Sequence, residues 1–216
     1  MSPAQVRFTA AADGNLSILQ DPTVVAARRR GVVDLPWTWL RQVHGAEVVV
    51  VGSPGDGAGR EADAAVTAQP GAVLAVHTAD CAPVALLSRE GVVGAAHAGW
   101  RGIEAGVLGA TVVAMRALGA SQVSAVLGPC IHPECYEFGK ADLDRLAERL
   151  GDEVRGTTSA GRPALDVPAA VRLALVEAGV DEIDDVDTCT SCDTGYFSHR
   201  ARGDTGRQAL LVWLEP

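Results

Sequence analysis

The sequence predicts a single-domain α+β fold in which helices cover mixed β-sheets. Its 216 residues fit one domain, so we treat residues 1–216 as a unit. Hydrophobic residues make up 48% of the chain, which is enough for a large core and argues against disorder. Strand-like and helix-like segments are mixed without a strict βαβ alternation, which favours a sandwich with a mixed sheet.

Six apolar runs predict strands, and several are continuously apolar, as is typical of strands covered on both faces. They are EVVVV (47–51), VLAVHT (73–78), PVALLS (83–88), VVGAAH (92–97), VSAVLG (123–128) and ALLVWL (209–214).

Three segments predict helices: 102–118, 140–150 and 168–178. In the first, apolar residues recur at helical spacing from Ile103 onward. Gly119 follows that segment as a plausible C-terminal stop.

Charge and targeting signals narrow the function classes. The net charge of −9 repels phosphate backbones on average, so we expect no nucleic-acid partner. We see no signal peptide, and no stretch approaches the roughly 18 apolar residues of a membrane helix. Five cysteines without a secretion signal predict reduced thiols and a cytoplasmic protein.

Two histidines and a cysteine each lie next to an apolar strand and a small residue: His44, Cys81 and His97. Two imidazoles and a thiolate suit zinc, and three protein ligands leave a fourth position open, which is the layout of a catalytic site. Their spacing matches no compact ligand motif. Spacing alone therefore favours the alternative that both histidines bond to backbone and Cys81 is a core residue.

Two charged residues beside this set suggest further roles. Asp80 could transfer protons or orient a ligand, or it could cap a turn. Arg101, near a predicted helix start, could bind phosphate or form a surface ion pair. His77, inside an apolar run, is interpreted as a core histidine with its hydrogen bonds satisfied.

Two C-terminal patterns are weaker. Cysteine-rich segments could form a structural zinc site, or CTSC could be a redox pair; the residues concerned are Cys130, His132, Cys135, Cys189 and Cys192. The segment FSHRARGDTGRQ is a second candidate for anion contact; its polar members are Ser198, His199, Arg200, Arg202 and Arg207.

The motifs RQVHG, ADAAVT, HTADCAPV, GAAHAGWRG, LGPCI–CYEFG and FSHR–TGRQ occur in this order. In them the chain resembles the laccase-domain, or multicopper polyphenol oxidase (YfiH-like), family, from about residue 36 to the C-terminus. The resemblance implies a four-layer α/β/β/α sandwich with mixed sheets. It also implies a metal bound by His44, Cys81 and His97, which reverses the preference drawn from spacing. His132 stands where a small residue is expected, so no role is given to the Cys130 loop.

The resemblance further implies a zinc-dependent purine nucleoside phosphorylase with adenosine deaminase activity, acting on purine nucleosides and phosphate as a monomer or homodimer. Cu²⁺ could occupy the same site, but the chain's five histidines are too few for a four-copper laccase. Asp80 and Arg101 are the predicted catalytic residues. The residues assigned to substrate or phosphate binding are Gln42, Trp100, Arg101, His199 and Arg200.

Two alternatives remain open. One is a cysteine hydrolase with Cys81 as nucleophile and His97 as base, such as an amidase that edits peptidoglycan precursors, a task to which members of this family are also linked. The other is a zinc-binding module without catalysis.

Overall fold

The computed structural model describes residues 2–216. This range contains twelve strands and six α-helices. The strands are β1 Ala4–Phe8, β2 Trp37–Trp39, β3 Val48–Val51, β4 Ala64–Thr67, β5 Val73–Thr78, β6 Ala82–Ser88, β7 Val93–Ala98, β8 Val123–Leu127, β9 Arg155–Thr157, β10 Pro163–Leu165, β11 Ile183–Asp185 and β12 Gln208–Leu214. The helices are α1 Pro22–Val32, α2 Trp100–Ala105, α3 Val107–Ala117, α4 Lys140–Leu150, α5 Val167–Glu177 and α6 His199–Arg202.

The strands form two large mixed sheets and a small ribbon. The six-stranded sheet has the order β11-β8-β6-β7-β4-β3, with parallel pairs at both edges and antiparallel pairs between them. The four-stranded sheet has the order β1-β12-β5-β2, in which only β2 and β5 pair in parallel. Strands β9 and β10 pair separately.

The two large sheets face each other across an apolar layer. Alternate residues of β5, such as Leu74 and Val76, point into this layer, where they join residues of the six-stranded sheet such as Val93. The intervening residues Val73 and Ala75 point to the opposite face. This two-residue period lets one buried strand serve two cores.

Helices cover the outer faces of both sheets. Leu86 of β6 belongs to a core with Val112 of α3 and Leu175 of α5. On the far side, Val32 at the end of α1 packs against the outer core of the four-stranded sheet. The order of layers is therefore α/β/β/α, which confirms the predicted single-domain sandwich.

All six predicted strands are present, and two predicted helices correspond to α4 and α5. The prediction of one continuous helix over 102–118 is wrong. The chain breaks at Gly106, whose φ of +88° lies in the left-handed region, so α2 ends before it and α3 begins after it. Gly119, with φ +101°, ends the helical segment as predicted.

The helices of residues 2–216 are all too short or too polar to cross a lipid bilayer.

Candidate metal centre and substrate pocket

His44, Cys81 and His97 converge. Their ligand atoms all lie within 4.8 Å of one another, and Nε2 of His44 is 3.8 Å from Sγ of Cys81. A nitrogen and a sulfur bound to one tetrahedral zinc ion lie about 3.6 Å apart, given the usual bond lengths. The three side chains therefore fit one zinc ion, with a fourth coordination position left over.

The sheet topology explains this convergence. His44 lies on the connection from β2 to β3 and Cys81 on the connection from β5 to β6, and both connections cross from the four-stranded to the six-stranded sheet. His97 lies near the end of β7, whose last residue, Ala98, pairs with the first residue of β6, Ala82. The register thus brings all three ligands to one end of the sandwich.

The carboxylate of Asp63 supports two of the ligands. It is fully buried and accepts a 2.8 Å hydrogen bond from Nδ1 of His97. It also accepts backbone N–H bonds from Val43, His44 and Gly45, at 3.1, 3.0 and 2.8 Å. With Nδ1 of His97 engaged, Nε2 is left to bind a metal, which is the usual carboxylate–histidine–zinc arrangement.

Asp63 had no assigned role in the sequence analysis, although it lies in the motif ADAAVT. The available signal was an acidic residue immediately before a strand of Ala and Val. Burial raises the pKa of Asp63, but the hydrogen bonds from His97 and from the backbone of Gly45 more than offset this effect, so the pKa lies below its usual value.

The backbone is strained at one of the three ligands, His44, and at Asp80, the residue that precedes Cys81. His44 has φ +59° and Asp80 has φ +92°, values that residues other than glycine adopt only at a cost of about 1–3 kcal/mol. The surrounding hydrogen bonds must hold these conformations. Such strain is typical of functional sites.

Cys81 and His97 change each other's protonation. Burial raises the pKa of Cys81, but the charge of His97 and hydrogen bonds from His44 and His97 lower it to about 6. Burial lowers the pKa of His97, but Cys81 and Asp63 raise it to about 9. The pair therefore favours a thiolate at neutral pH, the form that binds metals and attacks electrophiles.

The three ligands form part of the wall of a pocket of about 530 Å³. Ile18, Leu19 and Leu40 supply an apolar side, and Arg41 and Arg207 supply positive charge. Apolar walls with a few polar groups are typical of small-molecule sites. The remaining lining residues are Ser17, Gln42, His44, His77, Thr78, Ala79, Cys81, His97 and His199.

His77 also lines this pocket, which its sequence context did not predict. Its side chain is buried, yet within residues 2–216 neither ring nitrogen has a hydrogen-bond partner. Burial, together with the charge of Arg29, lowers the pKa of His77 to about 3, so the ring is neutral. The interpretation of His77 as a satisfied core histidine is therefore confirmed for its burial and wrong for its hydrogen bonds: within the described residues one donor and one acceptor have no partner.

Gln42 lines the pocket, but its amide is engaged by the backbone. Its Nε2 donates to the carbonyl of His77 at 2.8 Å, and the N–H of His77 donates to its Oε1 at 2.7 Å. This side chain therefore positions His77, and its assignment to substrate binding stays a prediction.

Asp80 is buried, and its carboxylate accepts three hydrogen bonds. Thr190 and Ser198 each donate a hydroxyl to Oδ1 at 2.7 Å, and the backbone N–H of Arg200 donates to Oδ2 at 2.7 Å. These bonds give Asp80 a positioning role, because they hold the start of α6 beside the loop that carries Cys81. Proton transfer by Asp80 stays a prediction.

The other predicted substrate residues lie in two places. His199 lines the pocket with the metal ligands. Trp100 and Arg200 instead line a neighbouring groove with Tyr136 and Phe138. The guanidinium of Arg101 is exposed and lies 4.3 Å from the centre of the Trp100 ring.

Comparison with known proteins assigns the chain to a family. The family model described as multi-copper polyphenol oxidoreductase laccase matches residues 10–215. The chain belongs to this family. Its members include the purine nucleoside phosphorylase Rv2149c of Mycobacterium tuberculosis, 40% identical over 204 residues that span 90% of this chain and 81% of the relative. The purine nucleoside phosphorylase ORF3 of Streptomyces griseus is 43% identical over 199 residues, 88% and 79% of the two chains.

Solved structures of family members show the same fold. The Neisseria meningitidis protein NMB0706 aligns with a TM-score of 0.87 and 31% identity, over 100% of this chain and 96% of that one. YlmD from Geobacillus stearothermophilus aligns with the same TM-score and 31% identity, over 99% and 92%.

Gly99 leaves space for the side chains of His44 and Cys81 to meet. A Cβ atom at this position would lie 2.6 Å from Cδ2 of His44 and 3.1 Å from Sγ of Cys81. We expect Gly99→Ala to displace His44 and to weaken zinc binding by about 10-fold or more, as measured by competition with a chromogenic chelator. Gly109→Ala is the matched control, because a Cβ there meets nothing within 4 Å. Equal zinc affinity in both variants would contradict this account of the site.

Proposed function

We propose that this protein is a zinc-dependent purine nucleoside phosphorylase that also deaminates adenosine. The observation that carries the proposal is the convergence of His44, Cys81 and His97 in the wall of one pocket. The names of relatives about 40% identical to the chain support phosphorolysis as the general reaction. The choice of zinc and the deaminase activity rest on the donor set and on the family resemblance.

The three ligands suit a borderline-soft cation. Bound there, zinc would supply a Lewis acid with one open coordination position beside the pocket. Copper could compete for the same donors because its intrinsic affinity is higher. Five histidines cannot ligate four coppers when two of them belong to this single site. The oxidase chemistry in the family's description therefore does not fit this donor set.

The pocket offers separate surfaces for the parts of a nucleoside. The purine ring would lie against Ile18, Leu19 and Leu40, because the flat faces of a purine pack well against apolar side chains while its polar groups lie at the edge. The neutral ring of His77 would donate one hydrogen bond and accept another, which fixes the orientation of a base edge or of the ribose hydroxyls.

In phosphorolysis, a phosphate oxygen forms a bond to C1′ of the ribose while the bond from C1′ to the purine nitrogen breaks. The base leaves with the electron pair and takes up a proton. Positive charge near the phosphate stabilises this transition state. Arg207 lines the pocket and would supply this charge, His199 would offer a ring nitrogen for a hydrogen bond, and Arg101 is the candidate from the sequence.

In deamination, water adds to C6 of adenosine and the bond from C6 to the amino nitrogen breaks, so that ammonia and inosine are released. Asp80 is our candidate for the proton transfer, and it also holds the loop in place.

A second function has specific geometric support. Cys81, His97 and Asp63 lie in the order nucleophile, base and orienting carboxylate, as in cysteine hydrolases. An amidase could use these same residues. The adjacent ring of His44, 3.8 Å from the thiolate, adds the third donor that favours the metal site.

A chelator experiment separates the two functions. We expect dialysis against a chelator to abolish phosphate-dependent release of purine from adenosine and from inosine, and added Zn²⁺ to restore it, because His44, Cys81 and His97 hold the ion. The measurement is product analysis by chromatography with and without phosphate. A cysteine hydrolase would keep its activity in chelator and lose it to iodoacetamide.

The two ring nitrogens of His77, which have no hydrogen-bond partner within the described residues, are predicted to bind the nucleoside. We expect His77→Phe to lower kcat/KM for nucleosides by about 10-fold, the equivalent of one lost hydrogen bond. His77→Gln retains a donor and an acceptor and should recover part of the loss. Steady-state kinetics with saturating phosphate are the measurement. An unchanged kcat/KM in His77→Phe would remove His77 from substrate recognition.

A comparison of Arg207 and Arg101 tests where phosphate binds. Of the two, Arg207 lines the pocket, so we expect Arg207→Ala to raise KM for phosphate by about 10-fold while sparing deamination, which uses no phosphate. Arg101→Ala is the comparison. The same kinetic pattern in Arg101→Ala, with Arg207→Ala unchanged, would place phosphate at Arg101, as the sequence analysis predicted. Equal loss of both reactions would indicate a structural role.

A further inference from the structure

A second group of metal-binding side chains lies in the loops around the 3₁₀ turn Pro133–Cys135. Ligand atoms from one carboxylate and three thiols all lie within 4.8 Å of one another. The group consists of Glu134, Cys135, Cys189 and Cys192. None of these four residues lines the pocket described above, so the group is separate from the proposed active site.

Two short backbone turns bring the four side chains together. Glu134 and Cys135 are adjacent in the 3₁₀ turn. Cys189 and Cys192 form a C-x₂-C turn, in which the N–H of Cys192 donates to the carbonyl of Cys189 at 3.2 Å. A turn of this kind points both sulfurs to the same side, as in the cysteine pairs of structural zinc sites.

The distances between the donors suit a shared ion. Sγ of Cys135 is 3.3 Å from Sγ of Cys192, and Oε1 of Glu134 is 4.0 Å from that same sulfur. Two ligands of one tetrahedral zinc lie about 3.6–3.8 Å apart. The backbone N–H of His132 also donates to Sγ of Cys189 at 3.4 Å, which helps to fix the position of this sulfur.

The geometry points to a structural zinc site formed by Glu134, Cys135, Cys189 and Cys192. Three thiolates and one carboxylate fill a tetrahedral coordination sphere, so this ion would have no open position for a substrate. The sequence analysis considered a cysteine-rich site here with Cys130 and His132. The structure leaves both outside the group and adds Glu134.

The ion would stabilise the loop that carries Asp80 and Cys81, through hydrogen bonds to Asp80. Thr190, inside the C-x₂-C turn, donates its hydroxyl to the carboxylate of Asp80. Ile131, just before the 3₁₀ turn, donates its N–H to the carbonyl of Asp80 at 2.8 Å. Linking the two turns therefore fixes two of the four hydrogen-bond donors to Asp80, the residue that precedes Cys81.

Metal analysis of the full chain, purified under reducing conditions, tests the proposal. We expect about two equivalents of zinc in the wild-type protein and about one in Cys135→Ser and in Cys192→Ser. Cys130→Ser is the matched control, because this buried cysteine lies outside the group, and it should retain about two equivalents. A zinc content in Cys135→Ser and Cys192→Ser equal to that of the control overturns the proposal.

A measurement on the wild-type protein covers the case in which the serine variants do not fold. After Co²⁺ replacement, three thiolates at this site and one at the active site predict a thiolate-to-cobalt absorption about four times that of the active site alone. A spectrum that matches a single thiolate overturns the proposal. So does peptide mapping without reductant that finds a disulfide between Cys135 and Cys192 in the freshly isolated protein.

Discussion

The site depends on the hydrogen bonds that the buried carboxylate of Asp63 accepts. It accepts hydrogen bonds from three consecutive backbone N–H groups in the loop of His44, and a fourth from the ring of His97. Without these bonds, the loop would lose the support that holds His44 at a positive φ. One charged group, fully removed from water, thus positions two ligands that lie on different elements. A carboxylate with four donors offsets its own desolvation, which explains how it is tolerated in the core.

Asp80, the residue that precedes Cys81, resembles Asp63 in its surroundings. Its buried carboxylate likewise accepts several hydrogen bonds, here from the segment around Ser198, and its φ is positive, as is that of His44. Two of the three candidate ligands, His44 and Cys81, therefore lie on irregular loops tied to buried acids, and the third, His97, lies near the end of a strand. Functional residues commonly lie on such loops, held by a rigid scaffold.

The sequence predicted the elements with a strong apolar pattern and missed those with a weak one. Continuous apolar runs such as 73–78 became buried strands because their pattern suits a strand with cores on both faces. The three-residue strand Trp37–Trp39 carries too little pattern to detect, and helix α1 has one buried residue and three consecutive arginines in place of an apolar stripe. The break at Gly106 was missed because the apolar spacing continues across it.

The candidate site was predictable only in part. His44, Cys81 and His97 could be identified by residue type, but the family resemblance, not their spacing, joined them. Asp63 and His77 were missed because their roles depend on tertiary contacts. Asp63 binds a loop about 20 residues away in the sequence. His77 lines a pocket to which both sheets contribute residues.

The crossing of the chain between the two sheets has a thermodynamic consequence. His44 and Cys81 lie on segments that join the two sheets, and His97 belongs to the six-stranded sheet alone. An ion bound by all three side chains would therefore hold the two sheets together. Separating the layers would release the ion. Occupancy at a hundredfold excess over Kd would therefore add about 2.7 kcal/mol to the free energy of unfolding. Metal supply and the thermal stability of the whole sandwich would thus be coupled through three side chains.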